Sequence, residues 1–147
     1  MRKRTQSREY ALQFLYRLEL NPEQLEESLA SFWEENAEGD DEVRTFTERL
    51  IHATVSNLES INPLIEKAME HWDLTRVVLI DKLIMQLAVA EFFHLKGIPP
   101  KVTLNEAVNL AKKFSQEDSG KFVNGVLDRI SHGQKLFEEG PDGQSGG

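Results

Sequence analysis

The stretch from Val77 to Phe93 constrains the fold more than any other. It is the longest apolar run in the 147 residues, interrupted at Asp81, Lys82, Gln86 and Glu91. Read as a helix from Val77 to about Leu95, with Thr75 as its N-cap, it is apolar on most sides. A helix of that kind has to be covered all round. It is too short and too often interrupted to span a membrane, which takes roughly 20 apolar residues. The cover must therefore come from the rest of the chain, and this helix is expected to be central and the most buried.

The remaining apolar residues recur at helical spacing and supply that cover. A first helix is expected from Ser7, as N-cap, to about Leu20, with Ala11, Leu12, Leu15 and Leu18 on its apolar face, widened by Tyr10, Phe14 and Tyr16. Asn21-Pro22 reads as a cap followed by a first-turn proline. The stripe Leu25, Leu29, Phe32 and Trp33 then lies opposite Glu23, Glu26, Glu27, Glu34 and Glu35, a solvated acidic side. Glu38 to Asp41 is a loop. Val43, Phe46, Leu50, Ala53, Val55 and Leu58 mark a long amphipathic helix, and Asn62-Pro63 repeats the cap-and-proline start for a helix continuing to Trp72. Lys96-Gly97 and Pro99-Pro100 end the central run. Thr103 and Glu106 match a capping box, an S/T-x-x-E pattern in which each side chain satisfies a backbone donor. Val102, Ala107, Leu110, Ala111 and Phe114 follow. The last helix starts near Ser119 and carries Phe122, Val123, Val126, Leu127 and Ile130. Gly125 inside it costs roughly 1 kcal/mol against alanine, which suggests a close backbone approach by another helix, a partner or a ligand.

No segment alternates as a strand with hairpin turns. The fold class expected is all-α: an antiparallel helical bundle of six or seven helices, arranged as two three-helix subbundles divided near Asn57 to Asn62. Residues 7–132 form a single helical domain, residues 1–6 a flexible basic arm, and residues 133–147, without periodicity, a disordered tail.

Two stretches carry a resemblance. Asn105 to Phe114 reads N-E-A-V-x-L-A-K-K-F and Lys121 to Asp128 reads K-F-V-N-G-V-L-D; Arg8 to Tyr16, R-E-x-A-L-Q-x-L-Y, resembles an opening helix that goes with them. Together these resemble the NusB family of bacterial transcription antitermination factors, over about Arg2 to Ile130. The resemblance implies a NusB-like helical fold and an RNA-binding, non-enzymatic role without cofactors. It also implies partnership with NusE, the ribosomal small-subunit protein that doubles as a transcription factor. The pair would bind boxA, a short single-stranded RNA element of ribosomal-RNA leaders, and load an antitermination complex onto RNA polymerase. Some NusB-like proteins pair with themselves, so a homodimer stays open.

The residues themselves give little to catalysis. There is no cysteine, which excludes disulfides and thiolate chemistry. His52, His71, His94 and His132 do not pair at helical metal spacing, and Glu91-x-x-His94 is half of a di-iron motif with no second copy. No glycine-rich phosphate loop or nucleophile elbow occurs. No apolar signal-peptide core follows the basic start, so the protein is expected in the cytoplasm.

Net charge is −8, which argues against a general nucleic-acid coat, yet the charges are segregated. Arg2, Lys3, Arg4 and Arg8 precede or enter the first helix with no acid before Glu9, whereas Glu19 to Glu48 holds eleven acids against one base, Arg44. The basic end is either an anion site or a solubilising terminus. As an RNA site it would contact phosphates. Gln13 and Tyr16, three apart on one face, could read and stack a base, unless Tyr16 belongs to the apolar face. Asp118, Lys121 and Phe122 at a helix start form a second patch, with Phe122 either stacking a base or joining the core. The resemblance places RNA at both patches. It also assigns partner contact to an acid on the central helix, here Asp81, with Arg76 beside it. Asp81 could equally pair with Lys82 or Arg76, or face water. Gln86 stands where the family often has arginine. The rival readings are a helical protein-interaction module without an RNA role and an orphan helical enzyme.

Overall fold

The computed structural model describes residues 2–36, 40–70 and 77–134. Thr75, Arg76 and Trp72, the tail beyond Gln134 and part of the Glu38–Asp41 loop lie outside them. Seven α-helices are found among the described residues: α1 (Lys3–Leu20), α2 (Leu25–Glu35), α3 (Asp41–Val55), α4 (Leu58–Ala68), α5 (Leu79–His94), α6 (Pro100–Phe114) and α7 (Ser119–Gly133).

Helix α5 is the apolar helix from which the fold was read. Asp81, and every residue from Leu83 to Glu91, is buried. It packs against α1 and α3 on one side and against α4, α6 and α7 on the other. Helix α2 leans on α1, where Tyr10, Phe14, Phe32 and Trp33 meet edge to face at 5.2–5.9 Å between ring centres. The Trp33 indole N–H is satisfied by Glu48 Oε2 at 2.7 Å. One core cluster runs through all seven helices. Among the described residues no helix is long and apolar enough to cross a membrane.

Helix starts depart from the sequence expectations. Helix α1 begins at Lys3, so residues 3–6 belong to its first turn. Ser7, expected as its cap, is fully buried and donates to the Val43 carbonyl at 2.9 Å, joining α1 to α3. Asn21 closes α1 instead of opening α2, which starts at Leu25 with Gln24 before it. The expected long helix from Val43 divides at Ser56–Asn57, because Asn57 serves both neighbours. Its side-chain amide donates to the Ala53 carbonyl at 2.7 Å, and its own carbonyl accepts from Ile61 N at 2.9 Å. Pro63 therefore lies inside α4, not at its start. The carbonyl its missing N–H would have met is that of Glu59, and both residues are exposed, so water can serve it. Thr103 and Glu106 form no capping box: α6 starts at Pro100, a first-position proline, and both side chains turn to other helices. The one expected start that holds is that of α7, at Ser119. Asp40, within the expected loop, caps α3: its carboxylate accepts from Glu42 N and Val43 N at 2.9 and 3.3 Å. Gly97, at φ +82°, makes the left-handed turn between α5 and α6.

Candidate nucleic-acid interface

The basic end of α1 separates into two kinds of residue. Arg2, Lys3 and Arg4 are exposed. They line a groove of about 350 Å³ with Gly97, Ile98, Pro99 and Val102, so the start of α1 faces the turn into α6. The Arg4 guanidinium lies 4.5 Å from the Phe46 ring centre, with that of Arg49 at 6.0 Å. Arg49 was not singled out from the sequence; it follows Glu48 on α3 and joins the basic end of α1 only through the α1–α3 contact. Lys3 bonds Glu42 and sits 3.5 Å from Asp40, and the Glu42 hydrogen bond in particular raises its pKa. An exposed pair of this kind is weak, and a phosphate can compete for Lys3.

Arg8, expected from the sequence among the RNA contacts, lines the same groove but is engaged within the fold. It is 4% exposed. Its Nε and Nη2 donate to Glu91 Oε2 and Oε1 at 2.6 and 2.9 Å, and Nη1 reaches Glu106 at 3.3 Å. Thr103 donates to Glu91 Oε1 at 2.8 Å, and Thr5 to Glu106 Oε1 at 2.8 Å. Burial disfavours the guanidinium charge, but the Glu91 and Glu106 carboxylates outweigh it and hold the pKa above its ordinary value. Arg8 ties α1 to α5 and α6, and its donors are not offered to solvent. The same network accounts for Glu91, the residue of the half-motif. Among the described residues no cluster of three possible ligands could hold a metal ion.

The second patch lies where α6 turns into α7. Asp118 and Lys121 are exposed. Phe122 is half-buried and packs against the core from the edge, between the two roles that the sequence left open. Gly120 sits under α6: a Cβ there would meet Lys112 Cγ at 3.2 Å. The close approach of α7 is thus seen at Gly120, five residues before the glycine that suggested it.

Asp81, expected from the sequence at a partner face, lies inside the bundle. It is 4% exposed, and its carboxylate accepts from Ser115 Oγ at 2.6 Å and Ser119 Oγ at 2.8 Å. Among the described residues those two serines hold it, in the first turn of α5 beneath the α6–α7 turn; Arg76, another pairing the sequence offered, lies outside the described residues. Gln86 is likewise inside, donating to Asn62 Oδ1 at 2.9 Å.

Three contacts join α1 to α6, the helix that leads into the second patch. Thr5 and Arg8 meet Glu106, and Lys113 Nζ meets Glu9 Oε2 at 2.9 Å. These side chains link α1 to α6. The second half of α1 continues the face that carries Glu9. There Gln13 and Tyr16 follow Glu9 at i+4 and i+7 on one face. Gln13 is exposed and Tyr16 is 39% exposed, so Tyr16 leaves the apolar face. From Lys3 to Tyr16 this surface extends about 20 Å, at 1.5 Å per residue.

The field over this surface differs from that elsewhere. Helices α2, α3, α4 and α5 carry acids in their first turns, whereas α1, α6 and α7 carry none. The positive ends of those three helix dipoles are not neutralised from within the first turn. Lys112 and Lys113 in the last turn of α6 add positive charge next to the α7 start.

Comparison with known proteins identifies the family. The NusB family model matches residues 5–132. The transcription antitermination protein NusB of Thermodesulfovibrio yellowstonii is 38% identical over 138 residues, covering 88% of this chain and 91% of the relative. A crystal structure of the antitermination factors NusB and NusE in complex with dsRNA superposes with a TM-score of 0.80 at 32% identity, over 90% of this chain and 98% of that one. NusB of T. maritima superposes at 0.79 with 34% identity, over 92% and 96%. Sequence and fold agree over nearly the whole length, and the chain belongs to the NusB family.

Proposed function

We propose that this protein is an RNA-binding transcription antitermination factor that takes up boxA-type single-stranded RNA together with NusE and delivers it to the RNA polymerase antitermination complex. The observation that carries the reading is the exposure of Arg2, Lys3, Arg4, Gln13, Tyr16 and Lys121, with Phe122 half-buried beside Lys121. These residues combine exposed cations with aromatic faces on a chain whose net charge is −8. Cations supply salt-dependent affinity for phosphate, and aromatic rings stack unpaired bases. Asp118, exposed at the α7 start, would accept from a base amino group. The role is regulatory, with the RNA and NusE as ligands instead of substrates. Family membership and the complex of NusB and NusE with RNA support it.

The test is a titration of boxA-like RNA over a range of salt, with and without NusE. Replacing Arg2, Arg4 or Lys121 singly by alanine is expected to reduce the slope of log K against log salt by about 0.7 per lost phosphate contact on a single strand. NusE is expected to tighten binding. Wild-type slopes in all three variants would remove RNA from this surface and favour a protein-interaction module.

A further inference from the structure

We propose that Asp81 is a positioning residue for RNA binding, which acts by fixing the turn that presents Asp118, Lys121 and Phe122. The proposal rests on the reading of that turn as an RNA contact.

The turn between α6 and α7 is short, and its geometry depends on two serines four residues apart. Ser115 closes α6 and Ser119 opens α7. Each has one proton to donate. Ser115 gives its proton to Asp81 Oδ1 and Ser119 gives its own to Oδ2. The Ser119 oxygen then accepts from the Gln116 backbone N–H at 3.2 Å. Both carboxylate oxygens are therefore used on the two ends of one turn, and the turn is closed on itself by the same serine. Asp118 offers no substitute, since its side chain makes no cap bond at the start of α7. Without Asp81 the two ends of the turn lose their shared acceptor.

The location of the acid matters as much as its bonds. Asp81 lies on α5, the most enclosed helix of the bundle, so the turn is referenced to the rigid centre and not to another surface segment. A carboxylate is costly inside a protein unless hydrogen-bonded. Here its donors come from the two residues that bracket the proposed RNA contacts. A purely packing role would be served by an apolar residue at this position. The arrangement instead holds a hydrophilic turn at a defined angle, as a surface that orders single-stranded RNA requires.

The experiment measures RNA affinity and salt slope for Asp81→Ala, Asp81→Asn, Ser115→Ala and Lys121→Ala. Amide chemical shifts are followed over residues 115–122. Asp81→Ala is expected to weaken RNA binding about tenfold, the scale of one lost charge-assisted hydrogen bond. Its salt slope should stay that of the wild type, because no phosphate contact is removed, and its shifts should move mainly in the turn. Asp81→Asn keeps one acceptor and gains one donor for the serines, and is expected to restore most of the affinity. Ser115→Ala removes one of the two bonds at a half-buried site and serves should Asp81→Ala not fold; it is expected to weaken binding by a few-fold with an unchanged slope. Wild-type affinity in Asp81→Ala, or in Ser115→Ala where the former is unfolded, with Lys121→Ala impaired, would overturn the proposal. Wild-type affinity in Lys121→Ala as well would instead overturn the reading of the turn as an RNA contact, and the positioning role with it.

Discussion

Arg8 offers the sharpest test of the division between scaffold and RNA surface. Its side chain is 5% exposed and that of Glu91 2%, with two parallel hydrogen bonds of 2.6 and 2.9 Å between them. Replacing Arg8 by alanine leaves a buried carboxylate with the Thr103 hydroxyl as its remaining donor. Breaking a buried pair from one side costs about 3–5 kcal/mol. A domain of this size has a total stability of about 5–15 kcal/mol, so the single variant should be markedly less stable in urea or guanidinium denaturation. The double variant Arg8→Met with Glu91→Leu removes both charges at once and refills the space. It is expected to recover most of the loss, since apolar replacements of a buried pair are often neutral or better. It also leaves net charge unchanged, so its RNA salt slope can be compared directly with that of the wild type. If Arg8 is structural, that slope is unchanged; if it is a phosphate ligand, the slope falls by about 0.7. A cost below about 1 kcal/mol for Arg8→Ala, the range of surface changes, or a reduced slope in the double variant, would refute the assignment of Arg8 to the scaffold.

Phe122→Ala should lose about 1–2 kcal/mol of stability, less than the 3–5 kcal/mol of a fully enclosed ring, because Phe122 is half-buried. RNA affinity should fall by about 1–3 kcal/mol; paired denaturation and titration would show otherwise if only one quantity moved. His52 joins α3 to α2, with Nε2 2.9 Å from Glu26 and Nδ1 2.8 Å from the Glu48 carbonyl, and the Glu26 bond in particular raises its pKa. Because the folded pKa lies above the unfolded one, its contribution is complete below about pH 6.5 and is lost as pH rises through the folded value. With the ring 41% exposed the effect should stay under about 1 kcal/mol. An imidazole titrating below its ordinary value by NMR would contradict this.

The order of the helices was legible because burial leaves a periodic record: Leu12 and Leu15, Leu29 and Phe32, Val126 and Ile130 all fall at helical spacing and all are buried. The helix starts were much less legible, and for one reason. A hydroxyl or carboxylate near a helix start reads as a cap, but the same group can serve a neighbouring helix. Ser7 serves Val43, Thr103 serves Glu91, and Glu106 serves Thr5 and Arg8. Local patterns cannot separate the two uses, since both need a short polar group at the edge of an apolar stripe. Asn62-Pro63 misled in a related way. Its proline is tolerated five residues into α4 because that side of the helix meets water.

At the site, charge alone grouped Arg8 with Arg2, Lys3 and Arg4, although the pattern holds information that separates them. Arg8 stands four and seven residues before Leu12 and Leu15, within the buried stripe of α1. Glu91 stands four and seven residues after Leu87 and Ile84, within that of α5. Asp81 precedes Met85 and Ala88 by the same spacings. A charge inside an apolar stripe must find its partner within the fold, whereas a charge outside the stripe is free to meet a ligand. By that criterion Arg8, Glu91 and Asp81 belong to the scaffold, and Arg2, Arg4 and Lys121 to the surface. What a single sequence cannot supply is the pairing. Arg8 with Glu91, and Asp81 with Ser115 and Ser119, are set by the adjacency of α1, α5 and the α6–α7 turn. That adjacency joins residues 83, 34 and 38 positions apart, and only the packed bundle specifies it.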